Sequence, residues 1–236
     1  MSSPKRCVDI SKLSFRWPGA RNDLLNIPEL SISQGEKVFV QGASGSGKST
    51  LLNLLAGVLA PTEGNITILD HDITNASKSR HDSFRADHYG IIFQHFNLIP
   101  YLSVMDNIIL PLSFSKHRQA KLNKNRHTIQ QHALSLLSSL GLNDSKIRDR
   151  NITELSTGQQ QRIAAARALI GSPEIIIADE PTSALDADAK RGFIELLFNQ
   201  VKISNSTLIL VSHDSSLASM FDTTLSISNF TPETSS

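Results

Sequence analysis

At 236 residues with a hydrophobic fraction of 39%, the chain is long enough to bury a core as one domain or as two lobes. Its 23 basic and 22 acidic residues give a net charge of +1, without the strong basic excess that is typical of proteins that bind nucleic acid. No apolar stretch approaches the ~20 residues of a membrane helix, so we expect no direct membrane insertion. Residues 1–9 lack an apolar signal core, and the single cysteine, Cys7, excludes an internal disulfide. We therefore expect a cytoplasmic chain.

The first part of the chain has the apolar alternation and the turn residues of short β-strands. One helix interrupts these strands, directly after a glycine-rich stretch. In chain order the sequence predicts a strand over 8–15, short strand-like runs over 24–33, a strand over 37–41, a helix over 50–55, and strands over 64–69 and 90–93.

The second part begins with helical spacing and then alternates between helices and strands. Apolar residues have helical spacing over 104–112 until Pro111 interferes, and a long helix over 116–140 stops at Gly141. The alternation that follows is typical of an α/β fold with a mostly parallel sheet, and the polar tail over 229–236 is expected to be frayed. The predicted elements of this alternation are a helix over 159–170, a strand over 174–178, a helix over 187–201 and a strand over 207–211.

Residues 42–49 match the pattern G-x-x-x-x-G-K-[ST] between a predicted strand and a predicted helix. Glycines let such a loop turn tightly and aim successive backbone N–H groups at a phosphate chain, and the following helix adds the positive end of its dipole. Lys48 is placed to reach the β- and γ-phosphates, and the Ser49 hydroxyl to bind Mg²⁺. The sequence therefore predicts a phosphate-binding loop rather than an ordinary glycine-rich turn.

Two adjacent carboxylates follow the predicted strand over 174–178. Ligands of open α/β sheets gather at the carboxyl ends of the strands. Asp179 suits a Mg²⁺ shell through water, and Glu180 can orient an attacking water and accept its proton. The alternative is a strand that ends in a polar turn, which the phosphate loop upstream makes the weaker interpretation.

Four further features carry a family resemblance. Leu-Ser-Thr-Gly-Gln opens a predicted helix at 155–159, Gln94 and His213 each follow a predicted strand, and Ser-Ala-Leu-Asp stands at 183–186. In this order, and together with the phosphate loop, they resemble the ATP-binding subunits of ABC transporters over almost the whole chain. The stretch 93–112 looks like one subgroup of them, which drives lipoprotein release, macrolide and peptide export, and cell-division complexes.

The resemblance implies an α/β fold of the ABC ATPase type. A P-loop NTPase core with a mostly parallel sheet and helices would comprise residues 1–93, which include an N-terminal antiparallel β subdomain, and 155–228. Residues 94–154 would form a helical insertion. The resemblance also implies an Mg²⁺-dependent ATPase with ATP and Mg²⁺ as cofactors. Two copies would face each other head to tail and trap two ATP molecules, and ATP would bind this closed dimer better than the open pair.

In such a dimer the start of one copy's helix serves the ATP of the other copy. Ser156 and the Gly158 N–H would bind the partner's γ-phosphate from a helix N-terminus, and Gln159 and Asp186 would also act in trans. A plain helix N-cap is the alternative for Ser156 and Asp186, and it is compatible with the dimer role. Thr157 departs from the glycine that is commoner in the family, which adds bulk to the closed interface.

Two motif residues would complete the catalytic centre. Gln94 resembles the residue that binds Mg²⁺ or its water and senses the γ-phosphate, since an amide oxygen is a competent ligand for a hard cation. His213 resembles the histidine that contacts the γ-phosphate and supports Glu180 and the attacking water. Without the family, Gln94 would more often be a solvated loop residue and His213 a structural one.

Adenine would stack on an aromatic ring near the end of the first strand. The family position aligns best with Trp17, and Phe15 is the alternative, although strand alternation points Phe15 inward. The residues expected to bind ATP are Trp17, Gly42, Ala43, Ser44, Gly45, Ser46, Gly47, Lys48, Ser49 and Thr50. The expected catalytic residues are Glu180, His213, Lys48 and Gln94, and the expected metal ligands are Ser49, Gln94 and, through water, Asp179.

The resemblance implies two partners, a transmembrane permease subunit and a second copy of the chain, and a peripheral position at the inner face of the cell membrane. Apolar groups over 95–102 would form either a docking patch or plain core. The alternative function is a soluble ABC ATPase that acts on nucleic acid or ribosomes. Such proteins usually carry a long coiled coil or two cassettes, whereas this chain has no sustained heptads and no basic excess. A regulator without hydrolysis is disfavoured because Glu180 and His213 are both present.

Overall fold

The computed structural model describes residues 5–123, 125–144, 146–183 and 185–231. These residues form two compact units, of which the first spans 5–85 and 209–231 and the second lies within 86–208. In the described ranges, no helix has both the length and the apolar character that crossing a membrane requires.

Strands and helices alternate along the chain, as predicted for an α/β fold. The strands are β1 (Arg6–Phe15), β2 (Leu25–Ser33), β3 (Lys37–Gln41), β4 (Glu63–Ile68), β5 (His71–Asp72), β6 (Tyr89–Ile92), β7 (Ile175–Asp179), β8 (Thr207–Val211) and β9 (Thr223–Ser226). The α-helices are α1 (Lys48–Leu55), α2 (Lys78–His88), α3 (Val104–Ile109), α4 (Lys116–Lys121), α5 (Arg126–Ser139), α6 (Thr157–Leu169) and α7 (Ala187–Ser204).

An antiparallel sheet forms the N-terminal part of the first unit. Its strand order is β2-β1-β4-β5, and Ile10 in β1 pairs with Leu30 on one side and with Ile66 on the other. Buried apolar residues alternate with exposed polar ones along much of β1 and β2, which is the pattern of a sheet with one solvated face. The sheet confirms the antiparallel β region that the family resemblance implied.

Parallel strand pairs carry the residues that lead into the candidate site. In the first unit β3 pairs with β9, and in the second unit β6 pairs with β7. The interiors of β3 and β7 are buried throughout, as expected for parallel strands that are covered on both faces. Since β3 ends just before the predicted phosphate loop and β7 ends at Asp179, both chemical motifs stand at the carboxyl ends of buried strands.

Helix α6 is central to the second unit, where it packs against α3, α5 and β6. Its last two turns are buried and rich in alanine. Gly90 in β6 permits the close approach of this helix, because a Cβ atom on Gly90 would lie 2.2 Å from Ala168 O. A larger residue at position 90 would therefore displace the end of α6.

A buried arginine holds the carbonyl groups at the end of α6. Arg118 in α4 donates from Nη2 to Ala168 O at 3.0 Å, from Nε to Ile170 O at 2.9 Å, and from Nη1 to Tyr89 O at 3.1 Å. Burial lowers the pKa of Arg118 to about 10, so the guanidinium stays charged at neutral pH. Each such charge-assisted bond contributes roughly 1.5–3 kcal/mol, and together they fix α6 against the first residue of β6.

The single helix predicted over 116–140 is wrong, because the structure has two helices there, α4 and α5. Asn123 follows α4 with φ of +56°, a left-handed conformation that ends a helix and that asparagine tolerates better than most residues. Asn125 then caps α5, and its Oδ1 accepts a bond from His127 N at 2.9 Å. The interruption predicted at Pro111 is confirmed, since α3 gives way to a 3₁₀-helix over Leu110–Phe114.

Three elements were not predicted, namely α2, β5 and β9. Helix α2 has no buried residue, so it carries no apolar stripe from which a helix could be predicted. The tail predicted over 229–236 begins inside the 3₁₀-helix Ile227–Phe230, and residues 232–236 lie outside the described ranges. The division into a core and a helical insertion over 94–154 stays a prediction.

Candidate ATP site

The phosphate loop of the first unit connects β3 to α1 and has the backbone that the glycine pattern predicts. Gly45 and Gly47 have φ of +76° and +101°, which residues with a side chain rarely adopt. Gly47 is also the N-cap of α1, so no side chain caps the amide groups at the start of this helix. These N–H groups are therefore available for a phosphate, which the helix dipole also attracts.

Two further features of the loop fit a bound polyanion. A Cβ atom on Gly42 would lie 2.2 Å from Ile227 Cγ2, so only glycine fits where the loop leaves β3. Ser46 Oγ is buried and has no hydrogen-bond partner among the described residues. An orphaned buried hydroxyl inside a loop of this kind is a donor that a phosphate oxygen would satisfy.

The Lys48 ammonium lies over the loop. Its Nζ donates to Gly42 O and to Ala43 O, both at 2.8 Å. Main-chain carbonyls thus hold the one positive side chain of the loop against the loop backbone, where its charge would attract a phosphate. Ser49 is exposed in the first turn of α1, whereas Thr50 is buried.

Trp17 and Phe15 differ sharply in exposure. Trp17 is 47% exposed, whereas Phe15 is 5% exposed and points inward as the alternation of β1 predicted. The two rings are in edge contact, with centroids 5.1 Å apart and an interplanar angle of 86°. Phe15 therefore packs against Trp17, and the exposed part of the indole is available to a purine. The role of Trp17 in adenine stacking stays a prediction.

His213 belongs to the same unit as the phosphate loop. It is exposed and follows β8 after one residue, Ser212. Ser212 N donates to Val40 O in β3 at 3.2 Å, and Ser212 Oγ accepts a bond from Asp214 N at 3.1 Å. The segment that bears His213 is thus tied to the strand that leads into the phosphate loop.

In the second unit, Asp179 and Glu180 stand at the end of β7 and are half-buried. Glu180 has φ of +46°, a left-handed conformation that costs a non-glycine residue on the order of 1–3 kcal/mol and is typical of active sites. A turn fixes it, because Ser183 N donates to Glu180 O at 3.3 Å. The buried Gln161 of α6 also donates a hydrogen bond to Pro181 O at 2.8 Å. This bond ties the segment after β7, which bears Glu180, to α6.

The start of α6 forms a capping box. Ser156 Oγ accepts a bond from Gln159 N at 3.3 Å, and Gln159 Oε1 accepts a bond from Ser156 N at 2.9 Å. The N-cap interpretation of Ser156 is therefore confirmed. Asp186 is likewise the N-cap of α7, where its Oδ1 accepts a bond from Ala189 N at 2.8 Å. Of the motif over 183–186, residue 184 lies outside the described ranges.

Gln94 is exposed in a turn after β6. Two residues with left-handed backbone follow it, Phe96 with φ of +59° and Asn97 with φ of +49°. Arg167 of α6 donates from Nη1 to Asn97 O at 2.6 Å and from Nη2 to Phe96 O. Neither Arg167 nor Gln161 was predicted from the sequence to contact the site segments. The available signal for Arg167 was a charged residue within an alanine run, Ala-Ala-Ala-Arg-Ala at 164–168.

The predicted site residues therefore fall into two groups, each within one unit. The first unit contains Trp17, residues 42–50 with Lys48 and Ser49, and His213. The second unit contains Gln94, Ser156, Gly158, Gln159, Asp179, Glu180 and Asp186.

Residues 25–183 match the sequence profile of the family described as ABC transporter. The chain belongs to this family. The ABC transporter ATP-binding protein YtrE of Bacillus subtilis (strain 168) is 40% identical over 191 residues, which cover 81% of this chain and 79% of YtrE. The lipoprotein-releasing system ATP-binding protein LolD of Syntrophotalea carbinolica is 35% identical over 224 residues, which cover 94% of this chain and 95% of LolD.

A solved structure agrees with this assignment. The ATP-binding cassette MJ0796, in a dimeric post-hydrolysis state bound to ADP and Pi, matches with a TM-score of 0.79 at 32% identity, over 93% of each chain. The ABC ATPase fold and the ATPase class that the sequence predicted are thereby confirmed, and so is the likeness to the lipoprotein-release subgroup. The chain is an ABC cassette for ATP.

Proposed function

We propose that this chain is the ATP-hydrolysing subunit of an ABC transporter, which dimerises when it binds ATP and drives a membrane permease. The observation that carries the proposal is the phosphate loop, in which α1 begins without a side-chain cap and Lys48 is held by two loop carbonyls. Such a loop binds the β- and γ-phosphates of a nucleotide, and the family membership identifies the nucleotide as ATP.

We assign the metal to Ser49, Gln94 and, through water, Asp179. A hydroxyl, an amide oxygen and a carboxylate are the oxygen donors that Mg²⁺ prefers in nucleotide sites. When bound, Mg²⁺ supplies charge neutralisation at the phosphates. The exposed position of Ser49 in the first turn of α1 suits this role.

Glu180 is the proposed general base. Its left-handed backbone fixes the carboxylate at the end of a buried strand, so that it can orient a water molecule in line with the γ-phosphate and accept its proton. Lys48 stabilises the negative charge that develops on the phosphate oxygens, and His213 donates a hydrogen bond to the γ-phosphate. Trp17 stacks on the adenine ring.

The start of α6 serves the ATP of a second copy. Ser156 and the Gly158 N–H offer donors at the N-terminus of α6, where Gln159 also lies, and Asp186 stands at the start of α7 in the same unit. A Cβ atom on Gly158 would meet nothing within 4 Å, so the fold of one chain does not require glycine there. We attribute this glycine to the close approach of a second copy in the closed dimer. Thr157 is exposed beside it, where it would pack in the closed dimer.

The second proposed partner is a permease, which would hold the chain at the inner face of the cell membrane. The residues on both sides of Gln94 offer a surface for it, because Phe93 before it is exposed and Tyr101 after it is 82% exposed, whereas Phe96 is buried. Of the apolar side chains over 95–102, Tyr101 thus belongs to an exposed patch, whereas Phe96 is buried in the core. Action on nucleic acid or ribosomes is not favoured, given the net charge of +1 and the similarity to LolD over nearly the whole chain.

Co-purification from detergent-solubilised membranes tests the proposed partner. We expect the tagged chain to retain a membrane protein of several spanning segments, and Tyr101→Ala to reduce that retention about tenfold because it removes the most exposed aromatic side chain of the patch. Ile203→Ala, which removes an equally exposed apolar group from α7, is the matched control and should retain the permease. Retention of ribosomal proteins or nucleic acid instead of a membrane protein would contradict the proposal.

A further inference from the structure

The guanidinium of Arg167 donates its hydrogen bonds to the loop that follows Gln94. Arg167 is 9% exposed, and burial lowers its pKa. It donates to the main-chain oxygens of two successive residues, Phe96 and Asn97. A buried charge of this kind is tolerated only where its donors are satisfied, so the two carbonyls are a specific counterpart of this side chain.

The two carbonyls belong to a strained turn. Phe96 and Asn97 both have left-handed backbone, which is disfavoured for residues with a side chain and rare in succession. Two local bonds form within the turn, since Phe96 N donates to Phe93 O at 3.0 Å and Asn97 N donates to His95 O at 2.6 Å. The two hydrogen bonds from the Arg167 guanidinium therefore offset the backbone strain of the turn that contains Gln94.

A second buried side chain holds the far end of the same loop. Asn107 is fully buried, accepts a bond from Ile99 N at 2.8 Å, and donates to Ile99 O, Leu102 O and Ser103 O. The stretch 96–103 is thus held at both ends, and its first residue lies two positions after Gln94.

Arg167 lies on the helix that begins at Ser156, roughly 16 Å further along its axis. We propose that Arg167 is a positioning residue for the reaction: it fixes the Gln94 carboxamide relative to Mg²⁺ and the γ-phosphate, and it ties that loop to α6. The proposal rests on the function assigned above to Gln94. It differs from the role of Arg118, whose carbonyl partners belong to residues without a site role.

The test measures the Mg²⁺ concentration that gives half-maximal ATP hydrolysis, together with ATP binding in the absence of Mg²⁺. We expect Gln94→Ala to raise this Mg²⁺ concentration about tenfold. Arg167→Gln should reproduce most of that rise, because removing a residue that holds a metal ligand typically weakens metal binding by about 10–100-fold. Binding of ATP without Mg²⁺ should change less than twofold in both variants. Arg162→Gln is the matched control on the same helix, since its guanidinium donates to Gly141 O at 3.3 Å rather than to the loop that follows Gln94.

The double variant Gln94→Ala/Arg167→Gln decides between positioning and general stability. If Arg167 acts through Gln94, the double variant should have the Mg²⁺ requirement of Gln94→Ala alone. Additive effects, or a normal Mg²⁺ requirement in Arg167→Gln, would overturn the proposal. A normal requirement in Gln94→Ala would instead refute the role of Gln94 itself. If Arg167→Gln does not fold, Arg167→Lys, which keeps the charge but not the fork, carries the same test and should show a partial rise.

Discussion

Replacement of Glu180 by glutamine is expected to slow ATP hydrolysis by about 10²–10⁴-fold and to leave ATP binding intact. The amide keeps the size and shape of the side chain on its left-handed backbone but cannot accept the proton of the attacking water. Phosphate release measures the first effect, and calorimetry with MgATP measures the second. Because bound ATP then persists, the variant should also accumulate as a dimer, which light scattering detects.

Glu195→Gln is the matched control for this substitution. Glu195 is an exposed glutamate of α7 with no assigned role, so its variant should hydrolyse ATP at the normal rate. Hydrolysis at the normal rate in Glu180→Gln would remove Glu180 from the role of general base.

Replacement of Lys48 by alanine should weaken nucleotide binding by about 10–100-fold. The substitution removes the charge-assisted bonds to the β- and γ-phosphates, and such bonds are worth roughly 1.5–3 kcal/mol each. It also removes the two bonds from Nζ to the carbonyls of Gly42 and Ala43, so the thermal unfolding midpoint should be recorded beside the affinity.

Lys202→Ala, at an exposed position in the last turn of α7, is the control for loss of one positive charge. An unchanged affinity of Lys48→Ala for MgATP would show that the loop does not bind the phosphates through this lysine.

The sequence was sufficient for the parts of the site that lie in short contiguous motifs. The loop over 42–49, its flanking strand and helix, and the carboxylates after β7 all follow from residue types whose backbone or chemistry has few alternatives. Glycines with positive φ are the plainest case, since Gly45 and Gly47 adopt conformations that only glycine adopts readily.

The sequence was insufficient where long-range contacts decide. The bonds from Arg167 to Phe96 and Asn97 join positions 70 or 71 residues apart, and nothing local to either segment predicts them. Helix α2 escaped prediction because none of its residues is buried, and the break between α4 and α5 depends on the cap at Asn125.

Crosslinking between two single-cysteine subunits tests the head-to-tail ATP dimer most directly. One subunit carries Ser44→Cys in the exposed phosphate loop and the other carries Ser156→Cys at the start of α6, both with Cys7→Ala and Glu180→Gln. Thr157→Cys is a second version that leaves the Ser156 cap in place. We expect a crosslinked pair only when both subunits and ATP are present. A crosslink that forms equally without nucleotide, or no crosslink from either cysteine pair with ATP bound, would contradict it.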